Sequence, residues 1–309
     1  MTIRFLQFKS WSQIYTYRQV IKGFTLIELL VAVLVATFAV SGLLTMVIRL
    51  LQTDQRESAQ SETQQQIQMA LDFIREDLRE AVYVYDGKCL QTGGSTSCPN
   101  LANYIPASTT NSAPILAFWK LQPFPQQVQA LCASTNPPLN TNCSAGKSYS
   151  LVIYYLRQNQ STDAPQWQGP ARITRYQLTQ FDSNGNSNAA SGYVDPTAQG
   201  TSFQNWPQGT GQTLPSRLSG NPDTLVDSVD FTTSQTLNCP TPYVASPANG
   251  ATSFYSCVRT ASQPGTNQDI WLFLTGNASG KPGLNNNNFR PTLQTDVILR
   301  SVLNKIPFS

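Results

Sequence analysis

A single carboxylate, that of Glu28, lies near the start of an apolar run that extends from Phe24 to Ile48. A stranded charge in hydrocarbon costs about 2.5–3.5 kcal/mol or more, so such a group needs a partner and usually has a function. Gly23 precedes the run and has no side chain, so the backbone there can extend through a narrow protease cleft. These residues predict a charge-pairing site in a membrane, next to a position where a protease could act.

The stretch Lys22-Gly23-Phe24-Thr25-Leu26-Ile27-Glu28 resembles the processing site of type IV prepilins and of type II secretion pseudopilins. The resemblance implies that a prepilin peptidase cuts between Gly23 and Phe24 and methylates the new N-terminus. It also implies that Glu28 neutralises the N-terminal amine of a neighbouring subunit, because a paired charge is tolerable in lipid. The alternatives are an ordinary signal anchor with a stray glutamate, and a signal peptide cut near Thr37-Phe38-Ala39.

The charges are distributed unevenly along the 309 residues, which carry a formal net charge of +3. Arg4, Lys9, Arg18 and Lys22 precede the apolar run, and no acid accompanies them. By the positive-inside rule, residues 1–23 form a cytoplasmic leader and the chain beyond the run is exported. That exported part is nearly neutral and has no basic stripe, so nucleic-acid binding is not expected.

All six cysteines lie beyond the apolar run and form three close pairs: Cys89 and Cys98, Cys132 and Cys143, and Cys239 and Cys257. An even number of cysteines outside the membrane predicts disulfides in an oxidising compartment. Pairing of sequence neighbours is favoured, and other connectivities remain open. The chain has no histidine and no C-x-x-C spacing, so zinc binding is not expected.

The apolar run and the sequence after it predict one long helix, from about residue 24 to 84. Residues 24–48 suffice to cross a bilayer. Residues 49–86 are predicted as an amphipathic extension, because apolar residues recur at helical spacing and Asp86-Gly87 supplies a stop. The apolar residues of this face are Ile67, Leu71, Ile74 and Leu78.

Residues 87–309 predict a β-rich domain. Strand candidates rich in β-branched and aromatic residues occur at 114–121, 149–157, 171–181, 224–232, 269–275 and 295–303. The second and third predict a hairpin with a long tip. Residues 182–222 predict a long loop or mobile excursion, and residues 276–291 a further loop. The predicted fold class is therefore α+β, pilin-like: a long helix packed on an antiparallel sheet with long, disulfide-stapled loops.

The order of these elements resembles the minor pilins of the PilW type and the J-type pseudopilin of type II secretion. The similarity lies in Ile74–Ala81, Leu225–Phe231 and a last strand at Val297–Arg300. Major pilins commonly carry a helix-kinking proline near the position of Thr45, so this difference favours a minor subunit. The resemblance implies other minor and major pilins, an inner-membrane platform protein and an assembly ATPase as partners.

An enzyme is the rival class of function. Without histidine, Ser-His-Asp, Cys-His and His-metal sites are excluded. The segment from Gly276 to Lys281 is one residue short of a phosphate-binding loop, and Pro282 replaces its Ser or Thr, so a turn is favoured. Paired carboxylates for glycoside hydrolysis remain possible. The acids near the end of the helix are nevertheless predicted to form a solvated face: Asp72, Glu76, Asp77 and Glu80.

A calcium loop is the remaining metal candidate, because Asp182, Asn184 and Asn186 place oxygen atoms at alternating positions. The downstream glutamate of such loops is missing at the usual offset, so a plain turn is favoured. No catalytic residue and no cofactor are expected.

The sequence thus predicts a minor pilin or pseudopilin with a single span in a bacterial inner membrane and a periplasmic C-terminal domain. The alternatives are a pilus-tip adhesin or receptor that binds through residues 182–222, and a membrane-anchored extracytoplasmic enzyme. The machine that the protein serves stays open among motility, DNA uptake, protein secretion and polysaccharide export.

Overall fold

A computed structural model describes residues 23–91, 98, 101–106, 111–134, 137–138, 141–208, 217–218, 220–231, 239–248, 253–259, 267–284 and 289–302. Residues 1–22 of the predicted leader therefore lie outside the described residues. The chain divides into two compact units, residues 1–52 and 53–309.

The described helices and strands follow in chain order. They are α1 (Leu26–Arg79), β1 (Ala81–Val84), α2 (Leu101–Tyr104), β2 (Ser112–Pro123), α3 (Gln126–Cys132), β3 (Lys147–Gln158), β4 (Ala171–Thr179), β5 (Asp223–Val229), β6 (Tyr243–Ser246), β7 (Phe254–Arg259), β8 (Asn267–Thr275) and β9 (Thr292–Val302). Two short 3₁₀ helices occupy Cys143–Ala145 and Asn188–Ser191.

In the first unit, the described chain is the beginning of α1. By length and composition, α1 could cross a membrane. None of the side chains in its apolar part is buried, which is not the pattern of a core helix in a soluble protein.

In the second unit, the strands form two antiparallel sheets. The five-stranded sheet has the order β1-β2-β3-β4-β5, and the four-stranded sheet has the order β6-β7-β8-β9. The α+β fold class and the predicted hairpin are confirmed, since β3 and β4 pair from Ser150–Thr179 to Gln158–Ala171. All six predicted strands are present, with ends shifted by a few residues.

The two faces of the five-stranded sheet pack against different partners because neighbouring residues point to opposite sides of a strand. Phe118 and Val152 form one cross-strand pair and lie in a core with the buried stripe of α1 and the inner face of the other sheet. Trp119 and Leu151 form the next pair and lie in a second core on the opposite face.

The end of the long helix differs from the prediction. Helix α1 ends at Arg79, not near residue 84 or 86, and Ala81–Val84 forms strand β1. The sequence there alternates small, β-branched and aromatic residues, and pairing with β2 satisfies its backbone. Strands β6 and β7 were also not predicted.

Residues 182–222 were predicted to form a long loop or a mobile excursion, and the part that the structure describes is an irregular loop that packs on the sheet. Tyr193, Trp206 and Leu218 are buried in the second core. The indole N–H of Trp206 donates to the carbonyl oxygen of Val194 at 2.8 Å. The hydroxyl of Tyr193 donates to the backbone carbonyl oxygen of Tyr149 at 2.9 Å. The segment is irregular, yet it covers one face of the sheet.

Candidate processing and assembly site

The predicted processing site lies immediately before α1. Gly23, Phe24 and Thr25 are non-helical, and the helix begins at Leu26. Phe24 is 78% exposed, and no described atom lies within 4 Å of the position that a Cβ on Gly23 would take. The bond between Gly23 and Phe24 therefore lies in exposed, non-helical chain, the form of backbone in which proteolysis concentrates.

Thr25 sets the position at which the helix begins. Its carbonyl oxygen accepts hydrogen bonds from the backbone N–H groups of Glu28 at 3.0 Å and Leu29 at 3.2 Å. Its Oγ1 atom accepts from the Glu28 N–H at 3.4 Å. Thr25 and Glu28 have the spacing of a capping box, a signal that the sequence contained and that the initial interpretation missed.

The same geometry places Glu28 in the first turn of α1, where the helix dipole favours a negative charge. Its carboxylate is one helical turn from the residue that cleavage would make the N-terminus. No described residue forms a salt bridge or side-chain hydrogen bond with the Glu28 carboxylate. The part of the chain that the structure describes thus supplies no cationic partner to this carboxylate.

The hydroxyl groups of the apolar segment are satisfied within the helix. Thr37 donates to the carbonyl oxygen of Leu34 at 2.8 Å, Ser41 to that of Thr37 at 2.7 Å, and Thr45 to that of Ser41 at 2.9 Å. Such bonds let a polar side chain lie in hydrocarbon without an unpaired donor. The helix continues without interruption through Thr45, the position at which major pilins commonly carry a proline.

One of the four acids predicted to lie on a solvated helix face is in fact buried: Asp77 is 7% exposed. Lys120 donates to its Oδ1 atom at 2.7 Å. Arg175 donates to Oδ2 through Nε at 2.8 Å, and the hydroxyl of Tyr154 donates to Oδ2 at 2.6 Å. These donors lie on β2, β4 and β3, so Asp77 ties the last turns of α1 to three strands. Asp72, Glu76 and Glu80 are exposed, as predicted.

Burial by itself would raise the pKa of Asp77, but the hydrogen bonds from Arg175, Lys120 and Tyr154 outweigh it and hold the pKa below its usual value. Lys120 also contacts Glu80 at 3.0 Å. The buried cluster thus contains matched charges, and each of its three donor residues bonds to the Asp77 carboxylate. It supports a role in packing and not in acid–base chemistry.

The calcium candidate forms a self-contained turn. The Asp182 Oδ1 atom accepts from the backbone N–H of Asn184 at 2.9 Å and of Asn186 at 2.8 Å, and Oδ2 accepts from the Asn186 side chain at 2.9 Å. The described residues contain one cluster with metal-ligand atoms in reach of each other, Asp86 with Cys89 and Cys98. Those two sulfurs are bonded to each other, so neither is a thiolate ligand.

The Gly-Lys segment is a turn, as predicted, and it packs on α1. Lys281 contacts Glu62 at 3.2 Å and Gln66 at 3.3 Å. A Cβ on Gly276 would lie 2.8 Å from Cγ1 of Ile67, so only glycine allows this approach. Ala278 and Leu284 form a small core with Ala59 of the helix.

All three predicted disulfides are confirmed. The bonds join Cys89 to Cys98, Cys132 to Cys143, and Cys239 to Cys257. No free cysteine remains.

Comparison with known proteins identifies the N-terminal site. Residues 18–44 match the family described as the prokaryotic N-terminal methylation motif, and the match includes Gly23, Phe24 and Glu28. Neither a curated protein nor a solved structure matches the chain. The motif is the signature of type IV prepilins, and here it continues into a long apolar helix followed by two disulfide-stapled sheets. The chain therefore carries the type IV prepilin signature at its N-terminus, the motif at which prepilin peptidase acts.

Proposed function

We propose that the protein is a minor type IV pilin or pseudopilin that takes part in assembling or initiating a pilus or pseudopilus. Residues 24–48 hold it in the bacterial inner membrane with residues 1–23 in the cytoplasm, and residues 87–309 form a periplasmic domain. Its partners are prepilin peptidase, other minor and major pilins, an inner-membrane platform protein and an assembly ATPase. The protein has no catalytic activity of its own.

The observation that carries this proposal is the combination of an exposed apolar helix surface with one carboxylate in its first turn. Large apolar side chains are exposed along the segment, among them Leu26, Phe38 and Leu50. Such a surface needs lipid or other helices around it. Glu28 adds a charge that has no described partner within the chain and that pairs with the Phe24 amine of a neighbouring subunit.

The test compares Glu28→Ala with Glu57→Ala. Glu57 lies on the same helix, beyond the apolar segment, and is exposed. We expect both variants to insert and to be cleaved, because neither change alters Gly23 or the apolar run. Only Glu28→Ala should fail to co-purify with partner pilins, since an amine then remains unpaired in hydrocarbon at a cost of several kcal/mol.

Co-purification of Glu28→Ala at the level of Glu57→Ala would overturn the assembly role of Glu28 and leave the processing site intact. A chain that starts at Met1, or beyond Ala39, would overturn the pilin assignment itself.

A receptor subunit at a pilus tip is the second candidate. The described part of residues 182–222, which was its predicted binding surface, covers the sheet instead. What favours this candidate is an open cleft at the end of the five-stranded sheet, lined by polar and apolar side chains alike.

A further inference from the structure

Thr25 is the last non-helical residue before α1, which begins at Leu26. Its carbonyl oxygen accepts from the Leu29 N–H at 3.2 Å, which is the first bond in α1 between residues four positions apart. Its Oγ1 atom accepts from the Glu28 N–H at 3.4 Å. A non-helical residue with these two bonds is the N-cap of a helix, and its side chain satisfies an N–H group that has no acceptor within the first turn.

The residues around Thr25 leave one other place where α1 could be capped. The residues that follow, Leu26 and Ile27, are poor N-caps. A later helix start would also leave backbone N–H and C=O groups of the apolar run without partners in hydrocarbon. Gly23, by contrast, ranks beside threonine as an N-cap. Without the Thr25 hydroxyl, α1 would therefore extend toward Gly23 and include Phe24.

The start of the helix decides the conformation of the bond between Gly23 and Phe24. In the structure both residues are non-helical and exposed. In a helix capped by Gly23, the same bond would belong to the first turn. Proteolysis concentrates in exposed chain that is not tied into regular structure, because the substrate backbone must be free to enter the protease cleft. A helix that starts earlier therefore presents this bond less often in a form that can be cut.

We propose that Thr25 is a positioning residue for prepilin processing: as the N-cap it stops α1 short of the Gly23–Phe24 bond and keeps that bond non-helical. This inference rests on the proposed function, in which prepilin peptidase cuts that bond. The hydroxyl acts through the conformation of the substrate and does not touch the reacting atoms. Its loss lowers the fraction of precursor that is competent to bind, so KM rises by the inverse of that fraction and kcat stays unchanged.

Cleavage kinetics of the full-length precursor in detergent, with purified prepilin peptidase, test this proposal. Thr25→Val keeps the shape of the side chain and removes the acceptor, so KM should rise about three- to tenfold with kcat unchanged. Thr25→Ser retains the acceptor and should be cleaved with the KM of the unchanged chain. Thr45→Val is the matched control, because the Thr45 hydroxyl bonds to the Ser41 carbonyl oxygen at 2.9 Å, away from the helix start. It should leave both constants unchanged.

A proline variant separates helix capping from direct recognition of the hydroxyl by the peptidase. Proline is favoured at the first position of a helix, and it disfavours the helical conformation in the residue before it. Leu26→Pro therefore holds the helix start at residue 26 without an N-cap hydroxyl. In the Leu26→Pro background, Thr25→Val should change KM by less than about twofold, because the two substitutions act on the same helix boundary. A peptidase that binds the hydroxyl directly would show the full effect in both backgrounds.

The proposal is overturned if Thr25→Val is cleaved with the KM of the unchanged chain, or if its defect lies in kcat. It is also overturned if the effect of Thr25→Val persists in the Leu26→Pro background. An unchanged precursor that the peptidase does not cut between Gly23 and Phe24 would instead overturn the processing site of the proposed function. A melting temperature close to that of the unchanged chain verifies in each variant that residues 53–309 are folded.

Discussion

Two carboxylates on α1 have opposite surroundings. Glu28 is exposed in the first turn and has no described side-chain partner, whereas Asp77 is buried and accepts bonds from three side chains. The difference follows from the partners that the chain supplies near each position. Strands β2, β3 and β4 bring Lys120, Tyr154 and Arg175 to Asp77, but the segment around Glu28 is apolar. The partners of Asp77 make that carboxylate structural, whereas the described part of the chain gives Glu28 no such role.

The first prediction at this scale concerns processing. The mature chain should begin with N-methyl-Phe24, and Gly23→Val should accumulate as the uncut precursor because a β-branched side chain obstructs an extended backbone in a narrow protease cleft. Gly42→Val is the matched control, since Gly42 also has no described atom near its Cβ position. Intact mass of the membrane-extracted protein gives the result. An uncut Gly42 variant, or a cut Gly23 variant, would contradict it.

The second prediction concerns Asp77. Asp77→Asn should lower the free energy of unfolding by about 3–5 kcal/mol, because it leaves the half-buried Arg175 cation without its carboxylate and leaves Lys120 with the exposed Glu80 alone. Asp72→Asn, on the exposed side of α1, should change it by about 0.5 kcal/mol or less. Denaturant unfolding followed by tryptophan fluorescence measures both. Equal effects of the two variants would refute the claim that the Asp77 cluster ties α1 to the sheet.

The pKa of Asp77 adds a dependence on pH. Its folded pKa lies below the unfolded value of 3.8, so the charged form is stabilised by folding. The contribution is fully present above pH 3.8 and is lost as the pH falls through the folded pKa. The stability gap between the unchanged chain and Asp77→Asn should therefore be constant near neutral pH and shrink below about pH 3.8. A stability gap that grows in acid would show that the folded pKa of Asp77 is not below its unfolded value.

At the scale of elements, the long helix was predictable over most of its length and its end was not. The spacing of Ile67, Leu71, Ile74 and Leu78 indicated the buried stripe, and the structure buries all four. The end at Arg79 depends on Ala81–Val84 pairing with β2, which is far away in sequence. Local propensity contains no information about such a partner. Because residues 80–84 include no Gly or Pro, the sequence predicted a helix that continues too far.

The loop after β8 gives a prediction at this scale. Gly276→Ala should destabilise the chain by about 1–3 kcal/mol, because the added methyl group would overlap with Ile67 and the well-packed helix cannot yield without strain. Ser279→Ala, in the same turn and partly exposed, should stay within about 0.5 kcal/mol. Thermal unfolding of the two variants is the measurement. If Gly276→Ala were as stable as the unchanged chain, the loop would not pack tightly against α1.

For the whole molecule, the second core explains what the sequence could not predict. Tyr193, Phe203 and Trp206 occur singly among Gly, Ser and Asn residues, without the period of a helix or a strand. Phe203 stacks on Tyr83 at 5.6 Å, and Trp206 meets the edge of Trp119 at 5.3 Å. Because each anchor has its partner on a distant strand, periodicity could not reveal it. The processing site, by contrast, was predictable, since six consecutive residues contain its chemistry.

The disulfides test what stabilises the second core. Cys89 and Cys98 are 2% and 0% exposed within the second core, whereas Cys132 and Cys143 are partly exposed. The loops that the bonds close are similar, with separations of 9 and 11 residues, so chain entropy alone predicts nearly equal stabilisation.

We expect the double variant Cys89→Ala/Cys98→Ala to lose more stability than Cys132→Ala/Cys143→Ala. Each bond contributes about 2–5 kcal/mol, but only the first pair also packs against the aromatic side chains of the second core. Denaturant unfolding of both variants, with near-ultraviolet circular dichroism as a second probe, gives the order. The first variant should also lose aromatic signal before global unfolding. The reverse order would show that loop closure, and not burial in the second core, determines how much each disulfide stabilises the chain.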